Sequence, residues 1–361
     1  MSFGTQGARR AVLAVGALAI GALIAGCSGG SNSTTPTISQ NNPSSAAGVQ
    51  GGERELARVT VPLGMHVATV NLHTHAMALL GRPSFKIPWT GKPNNGSCPT
   101  DPQCLVYHGG PVLFNTGAIN VYVNPSQTGG GFPNTCTVAN CPPAQWGFPG
   151  GFLGRYSNNA EMGHILDQYE MPPGPNRNNR FPYIGYITMT DSMITANNTK
   201  AGAVSDARIT AELTTAQAAV GLTGDRFMYH LFYVQNQWLC SANVGGCYSP
   251  GDNLDFSFCA FHGNQTISGH DNIFSVEPWQ QVSGCTAPTD TIQNDTSSTL
   301  SHEWTEALTD PHLDAWFNSS GSEIGDICRF NYSTISMMPG PIVYNIQEEW
   351  INSVGACAYG P

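Results

Sequence analysis

The stretch best equipped for chemistry is residues 301–312, Ser-His-Glu-Trp-Thr-Glu-Ala-Leu-Thr-Asp-Pro-His. His302 and Glu306 are four residues apart, so on an α-helix of about 3.6 residues per turn they stand together on one face. An imidazole nitrogen and a carboxylate oxygen presented together make two ligands for a divalent metal. Glu303 projects from the edge of that face, where a carboxylate can act as general base toward water. Leu300, Trp304, Ala307 and Leu308 recur at helical spacing and form an apolar face roughly opposite. Asp295, Thr296 and Ser297 offer N-caps, and Pro311 stops the helix just beyond Asp310.

This is the zincin HExxH pattern with Glu306 in the second ligand position. A carboxylate oxygen binds zinc at a distance similar to an imidazole nitrogen. It adds negative charge, which lessens the Lewis acidity of the metal. A catalytic zinc takes a third protein ligand, and three candidates lie downstream. His312 follows His302 as in HExxHxxGxxH, with Thr309 in place of the turn glycine. Asp326 sits in Gly-Ser-Glu-Ile-Gly-Asp-Ile-Cys and could return from a following segment. Asp310 lies about 12 Å along a straight helix from His302, within reach only if the helix breaks. Ser336-Met337-Met338-Pro339 is similar to the Met-turn beneath a metzincin zinc. The competing reading of His302 and Glu306 is an ordinary hydrogen-bonded pair. His73, His75, His262 and His270 with Asp271 could be ligands, but separated histidines more often serve as core or surface groups. His230 alternates within an apolar strand and reads as packed. No GxSxG elbow or GxxxxGK[ST] phosphate loop occurs.

The elements that must position these groups are a mixture of strands and helices. Residues 57–70, 118–123, 183–190, 227–235 and 254–261 read as strands from their β-branched, aromatic and alternating content. Residues 205–220 read as a helix capped by Ser205, with Ile209, Leu213, Ala216 and Val220 on one face. Residues 159–170 read as a short helix, 129–154 as a long Gly/Pro-rich loop, and 341–350 as a strand ending near a helical turn. The class is α+β, loop-rich and disulfide-stapled, with a zincin-like mixed sheet carrying the metal-site helix.

Composition is of a kind common outside the cytoplasm. Only 11% of its 361 residues are charged, with 14 Lys+Arg against 24 Asp+Glu, where an average domain has about 25%. Its few lysines (Lys86, Lys92, Lys200) exclude a nucleic-acid-binding patch. Arg9-Arg10, an apolar run from Ala11 to Ile24, and Ala25-Gly26-Cys27 make a secretory signal over residues 1–26. Ile24-Ala25-Gly26-Cys27 resembles a bacterial lipobox, which implies lipidation of Cys27 and anchorage to a membrane of the cell envelope. Residues 27–52 are a Ser/Thr/Gly/Asn-rich tether, and 53–361 read as a single domain. Setting Cys27 aside leaves ten of the 11 cysteines, an even number that fits disulfide pairing after export. Spacing suggests Cys98–Cys104, Cys136–Cys141 and Cys240–Cys247. Cys259, Cys285, Cys328 and Cys357 remain, with pairing in chain order as one solution.

Several separated segments together resemble the phosphate-induced protein 1 family, also called EXORDIUM-like. They are residues 106–113 (VYHGGPVL), 119–123 (INVYV), 301–311 (SHEWTEALTDP), 315–317 (AWF), 323–328 (EIGDIC) and 346–350 (IQEEW). The family is secreted, and its bacterial relatives look like the version carrying a His-Glu helix. The resemblance carries over to His302, Glu303, Glu306, Asp310 and Asp326 and favours Asp326 over His312 as third ligand. The helix pattern, read together with the resemblance, leads us to expect a Zn²⁺-dependent metallopeptidase-like hydrolase acting on a peptide or cell-envelope substrate. The alternative is a non-catalytic envelope binding protein on a degenerate scaffold. Oxygen-rich ligand sets suit Ca²⁺, but an imidazole in the set argues for zinc.

Overall fold

Parallel strands covered on both faces need apolar side chains in both orientations, and the strands at residues 117–123 and 227–232 supply them. The computed structural model describes residues 64–73, 101–125, 145–169, 181–251, 256–338 and 340–359, apart from positions 114, 158, 167 and 196. The first part of the described chain forms β1 (Met65–Leu72), β2 (Val106–Tyr107), β3 (Gly117–Val123), α1 (Pro149–Tyr156), α2 (Ala160–Leu166) and β4 (Tyr183–Asp191). Next come β5 (Val204–Ser205), α3 (Asp206–Val220), β6 (Phe227–Phe232), β7 (Leu239–Ser241), β8 (Gly246–Tyr248), β9 (Phe261–Ile267) and β10 (His270–Glu277). Then follow α4 (Ile292–Thr309), β11 (Trp316–Phe317), β12 (Tyr332–Met337), β13 (Ile342–Gln347), β14 (Glu349–Ile351) and β15 (Ala356–Ala358). Residues 51–361 group into one unit.

The main sheet has six strands in the order β1-β4-β3-β6-β10-β9. The inner four run parallel, and β1 and β9 pair antiparallel at the two ends. Side chains alternate between two cores. Ile119, Val121, Tyr229, Leu231 and Val276 pack with Ile209, Leu213 and Ala216 of α3. Ala118, Tyr122, Met228, Phe232 and Ile273 pack with Leu300, Trp304, Ala307 and Leu308 of α4. On that second face, register aligns His262 with Ser275, Ser275 with His230 and His230 with Asn120. A buried polar row therefore crosses the sheet against α4.

α4 is rich in Ser and Thr, which have low helix propensity. Packing holds it instead. It is buried from Asp295 to Thr309 except at Thr299 and His302, because the β12–β13 hairpin adds Met337, Tyr344 and Ile346 to the same core. The helix begins at Ile292, a turn ahead of the expected start. Thr291 is the N-cap, its side chain accepting from the Asn294 N–H. Asp295, expected as a cap, accepts from the Ala287 N–H instead.

Strands at 117–123, 183–191 and 227–232 and the helix at 206–220 lie where composition puts them. Ser205 is the α3 N-cap residue, although its side chain makes no capping bond. Three expectations fail. The loop expected over 129–154 ends in helix α1, which Pro149 starts at its first position. Within the apolar run 254–261, the described residues 256–260 form no strand: Phe256 and Phe258 pack against the first core from irregular chain, and pairing with β10 begins at Phe261. Residues 341–350 hold no helical turn. They form β13 and most of β14, each paired with its own partner.

Three disulfides join Cys240–Cys247, Cys259–Cys285 and Cys328–Cys357, and Cys104 is also disulfide-bonded. Cys98, Cys136, Cys141, Cys27 and the segments expected as signal and tether lie outside the described residues. Among the described residues, no helix is long and apolar enough to cross a membrane.

Trp304 ties α4 to this framework: it is wholly buried and meets His230 edge-on at 5.3 Å and Phe181 at 6.0 Å. Trp304→Ala is expected to cost about 3–5 kcal/mol in urea unfolding, as large-to-small core changes do. Met338→Ala, at a residue 68% exposed, should stay within about 0.5 kcal/mol.

Candidate metal centre

Four elements bring polar groups to one cleft of about 890 Å³, and three of the four contribute ionisable ones. α4 contributes His302, Glu303 and Glu306, and the terminal strand β9 contributes His262. The segment between β11 and β12 contributes Glu323 and Asp326, and β13 contributes Gln347. That segment is shaped by its own backbone bonds. The Asn318 side chain accepts from the Ser320 and Ser322 N–H groups at 2.9 and 3.0 Å. Ile324 is buried, its carbonyl accepting from the Trp350 N–H. Cys328, bonded to Cys357, closes the far end.

Glu306 is the meeting point. Its Oε2 lies 3.1 Å from His302 Nε2 and 3.5 Å from His262 Nδ1. Its Oε1 accepts the Asp326 backbone N–H at 3.0 Å. His302 Nε2 is also 3.9 Å from Glu303 Oε1 and 4.0 Å from Asp326 Oδ1. His262 Nδ1 is 3.5 Å from Glu303 Oε2, while its Nε2 is 3.2 Å from the Asp310 carbonyl and 3.6 Å from Glu323 Oε1. Two sets of ligand atoms converge within 4.8 Å: His262, Glu303 and Glu306, and His302, Glu306 and Asp326. The first set is buried throughout and could hold a metal ion. Its Glu303 Oε2 is buried and accepts no hydrogen bond, which suits an oxygen facing a cation better than one facing protein.

His302, Glu303, Glu306 and Asp326, singled out in the sequence, therefore come together. His312 lies in the turn past Pro311, half-buried, and belongs to neither converging set. Asp310 ends the helix. Its Oδ1 accepts from the Asp314 and Ala315 N–H groups at 2.7 and 2.6 Å and holds the turn. Met337 is packed in the second core and Met338 is exposed, and neither lines the cleft. Glu323 and Gln347 are the residues sequence reasoning passed over, and His262 stands there only as one of several separated histidines. His262 carries no local signal: only the sheet order brings an edge strand 40 positions upstream beside α4.

Two neighbours fix the His302 ring. The Gln347 side-chain nitrogen lies 2.7 Å from His302 Nδ1 and donates to the Gly325 carbonyl at 2.9 Å. Gly325 lies against the ring so closely that a Cβ would sit 2.6 Å from Nδ1.

Burial sets the charges. Burial alone would lower the pKa values of His262 and His302. The carboxylates of Glu323, Glu303 and Glu306 outweigh it for His262 and hold it well above the usual value. Glu306, Glu303 and Asp326 do the same for His302. Burial favours a protonated Glu306, but the two imidazoles hold its carboxyl well below the ordinary range. Burial raises Glu303, with the Glu306 charge adding to it. Behind the site, burial and the Glu303 charge push Glu277 up to about 8. Glu277 accepts from Ser275 Oγ at 2.7 Å, and His230 Nδ1 lies 2.8 Å from that hydroxyl. Burial pushes His230 down to about 3, so it is neutral.

Two expectations follow from this geometry. Gly325→Ala should displace the His302 ring and weaken divalent-cation binding by roughly 10–100-fold, the usual cost of disturbing a ligand's support, measured by calorimetric titration. The second concerns pH. His262, His302 and Glu277 all keep protons in the folded state at pH values where the unfolded chain has lost them. Their stabilisation is complete below their unfolded pKa values and is lost as pH rises through the folded ones. Urea midpoints of the chelator-stripped protein should therefore fall as pH rises from about 6.5 to about 9. A flat or rising profile would refute this charge assignment.

In comparisons with known proteins, no family model, no curated protein and no solved structure matches the chain.

Proposed function

We propose that this chain is an exported, zinc-dependent metallopeptidase-like hydrolase of zincin-like, EXORDIUM-like type, anchored to the cell envelope through Cys27. The observation that carries the reading is the convergence on Glu306 of histidine and carboxylate ligands at an open cleft. His302, Glu306 and Asp326 are the zinc ligands. Zinc in such a set supplies Lewis acidity toward a scissile carbonyl.

The remaining steps belong to the protein. Glu303 Oε1, 3.9 Å from His302 Nε2, takes the proton of the attacking water and returns it to the leaving amine. A carboxyl pKa raised by burial suits both transfers. Gly325, packed against the ring, holds His302 in place while this happens. β9 is the terminal strand of the sheet and lines the cleft from Phe261 to Gln265. An extended peptide can add to such an edge through main-chain hydrogen bonds, and this favours a peptide substrate. Phe256, Phe258 and Phe274 in the wall suit apolar side chains.

The test is zinc content and peptide hydrolysis by the mature chain. Glu303→Gln is expected to lower kcat by about 10²–10⁴-fold, the usual range for a general base, and His302→Ala to lower bound zinc. Absence of zinc in a folded protein would sink the proposal and leave a non-catalytic envelope binding protein. Undiminished turnover in Glu303→Gln would remove Glu303 from its role.

A further inference from the structure

We infer that the centre takes two divalent cations: one held by His302, Glu306 and Asp326, the other by His262, Glu303 and Glu306, with Glu306 bridging them. The inference rests on the reading of this cleft as a metal site and extends it by a second ion.

The two imidazoles fall in separate convergent sets that share Glu306 alone. The shared atom is Glu306 Oε2, which faces His302 Nε2 and His262 Nδ1 while Oε1 is taken up by the Asp326 N–H. One oxygen bridging two ions at ordinary bond lengths spaces them by about 3.5–4 Å, the separation of two-metal hydrolytic sites.

Distances in the inner set are those of ligands rather than of hydrogen-bonded partners. His262 Nδ1 is 3.5 Å from both Glu303 Oε2 and Glu306 Oε2. A hydrogen bond between such atoms is about 2.7–3.2 Å long. Two ligands held tetrahedrally at about 2.1 Å from one ion are about 3.4 Å apart. The Asp310 carbonyl 3.2 Å from Nε2 keeps the imidazole proton on that nitrogen, so that Nδ1, which faces two carboxylate oxygens, is the nitrogen free to exchange its proton for a metal ion. Two carboxylate oxygens converging on one ring nitrogen where the His262 side chain is 2% exposed call for positive charge at that point, a proton on Nδ1 in the metal-free protein and a metal ion in its place when one binds. Glu303 Oε2, buried and without a hydrogen bond, faces the same point.

Charge gives the same count. Glu303, Glu306, Glu323 and Asp326 line the site with four carboxylates. With one divalent ion in the outer set and a proton still on the His262 ring, four ionised carboxylates leave one negative charge, and a second divalent ion in place of that proton neutralises the set. The roles remain compatible, because Glu303 offers Oε2 to the inner ion and keeps Oε1, on the His302 side, for proton transfer. One imidazole with carboxylates for each ion suits first-row divalent metals.

The experiment strips the full mature chain with chelator, adds zinc, removes excess by gel filtration and measures bound metal by mass spectrometry, with thermal melts to verify folding. The wild-type protein is expected to retain two equivalents, and His262→Asn and His302→Asn one each. One equivalent in the wild type overturns the second site while leaving the hydrolase proposal standing. None overturns both. Two equivalents that survive both substitutions mark adventitious binding and also overturn the inference. The wild-type measurement decides even if a variant fails to fold.

Discussion

Burying carboxylates without neutralising them costs several kcal/mol each, and this protein places Glu303 and Glu306 on a helix enclosed between a sheet and a hairpin. The rest of the centre answers that cost. His262 arrives from the sheet edge, His302 from the next turn of the same helix, and the Asp326 amide from the segment before β12. None of these contacts is close to another in sequence except within α4. The core that buries Leu300, Trp304 and Leu308 is therefore also what forces distant polar groups together.

The polar row across the sheet shows how far this demand extends. Ser275 and His230 continue inward from His262, and Glu277 joins them through the Ser275 hydroxyl. A neutral His230 and a carboxyl held up near 8 can be buried there because neither carries a full charge near neutral pH. The Glu303 charge is thus felt one layer behind the cleft.

Much of this was legible in the chain. The apolar spacing of Leu300, Trp304, Ala307 and Leu308 marks α4, and the pairs Cys240–Cys247, Cys259–Cys285 and Cys328–Cys357 follow chain order. The illegible parts have particular causes. Thr291 caps the helix because a Ser/Thr-rich stretch offers several equivalent starts, and only tertiary contacts choose among them. Phe256 and Phe258 mimic a strand because an apolar segment held near a disulfide has the same composition as one held by a ladder. His262 could not be assigned because ligands from different elements meet only through sheet order, which no local spacing encodes.

The disulfides also stand close to the ligands. Cys259 lies just ahead of His262 and Cys328 just after Asp326, and each is bonded to a cysteine in another segment. Cross-links of this kind remove chain freedom before any ion arrives. His262 and Asp326 are then ordered by the cross-linked fold itself, so a cation binding between them would meet a preorganised cage, and its affinity would not be diluted by the entropy of gathering loops.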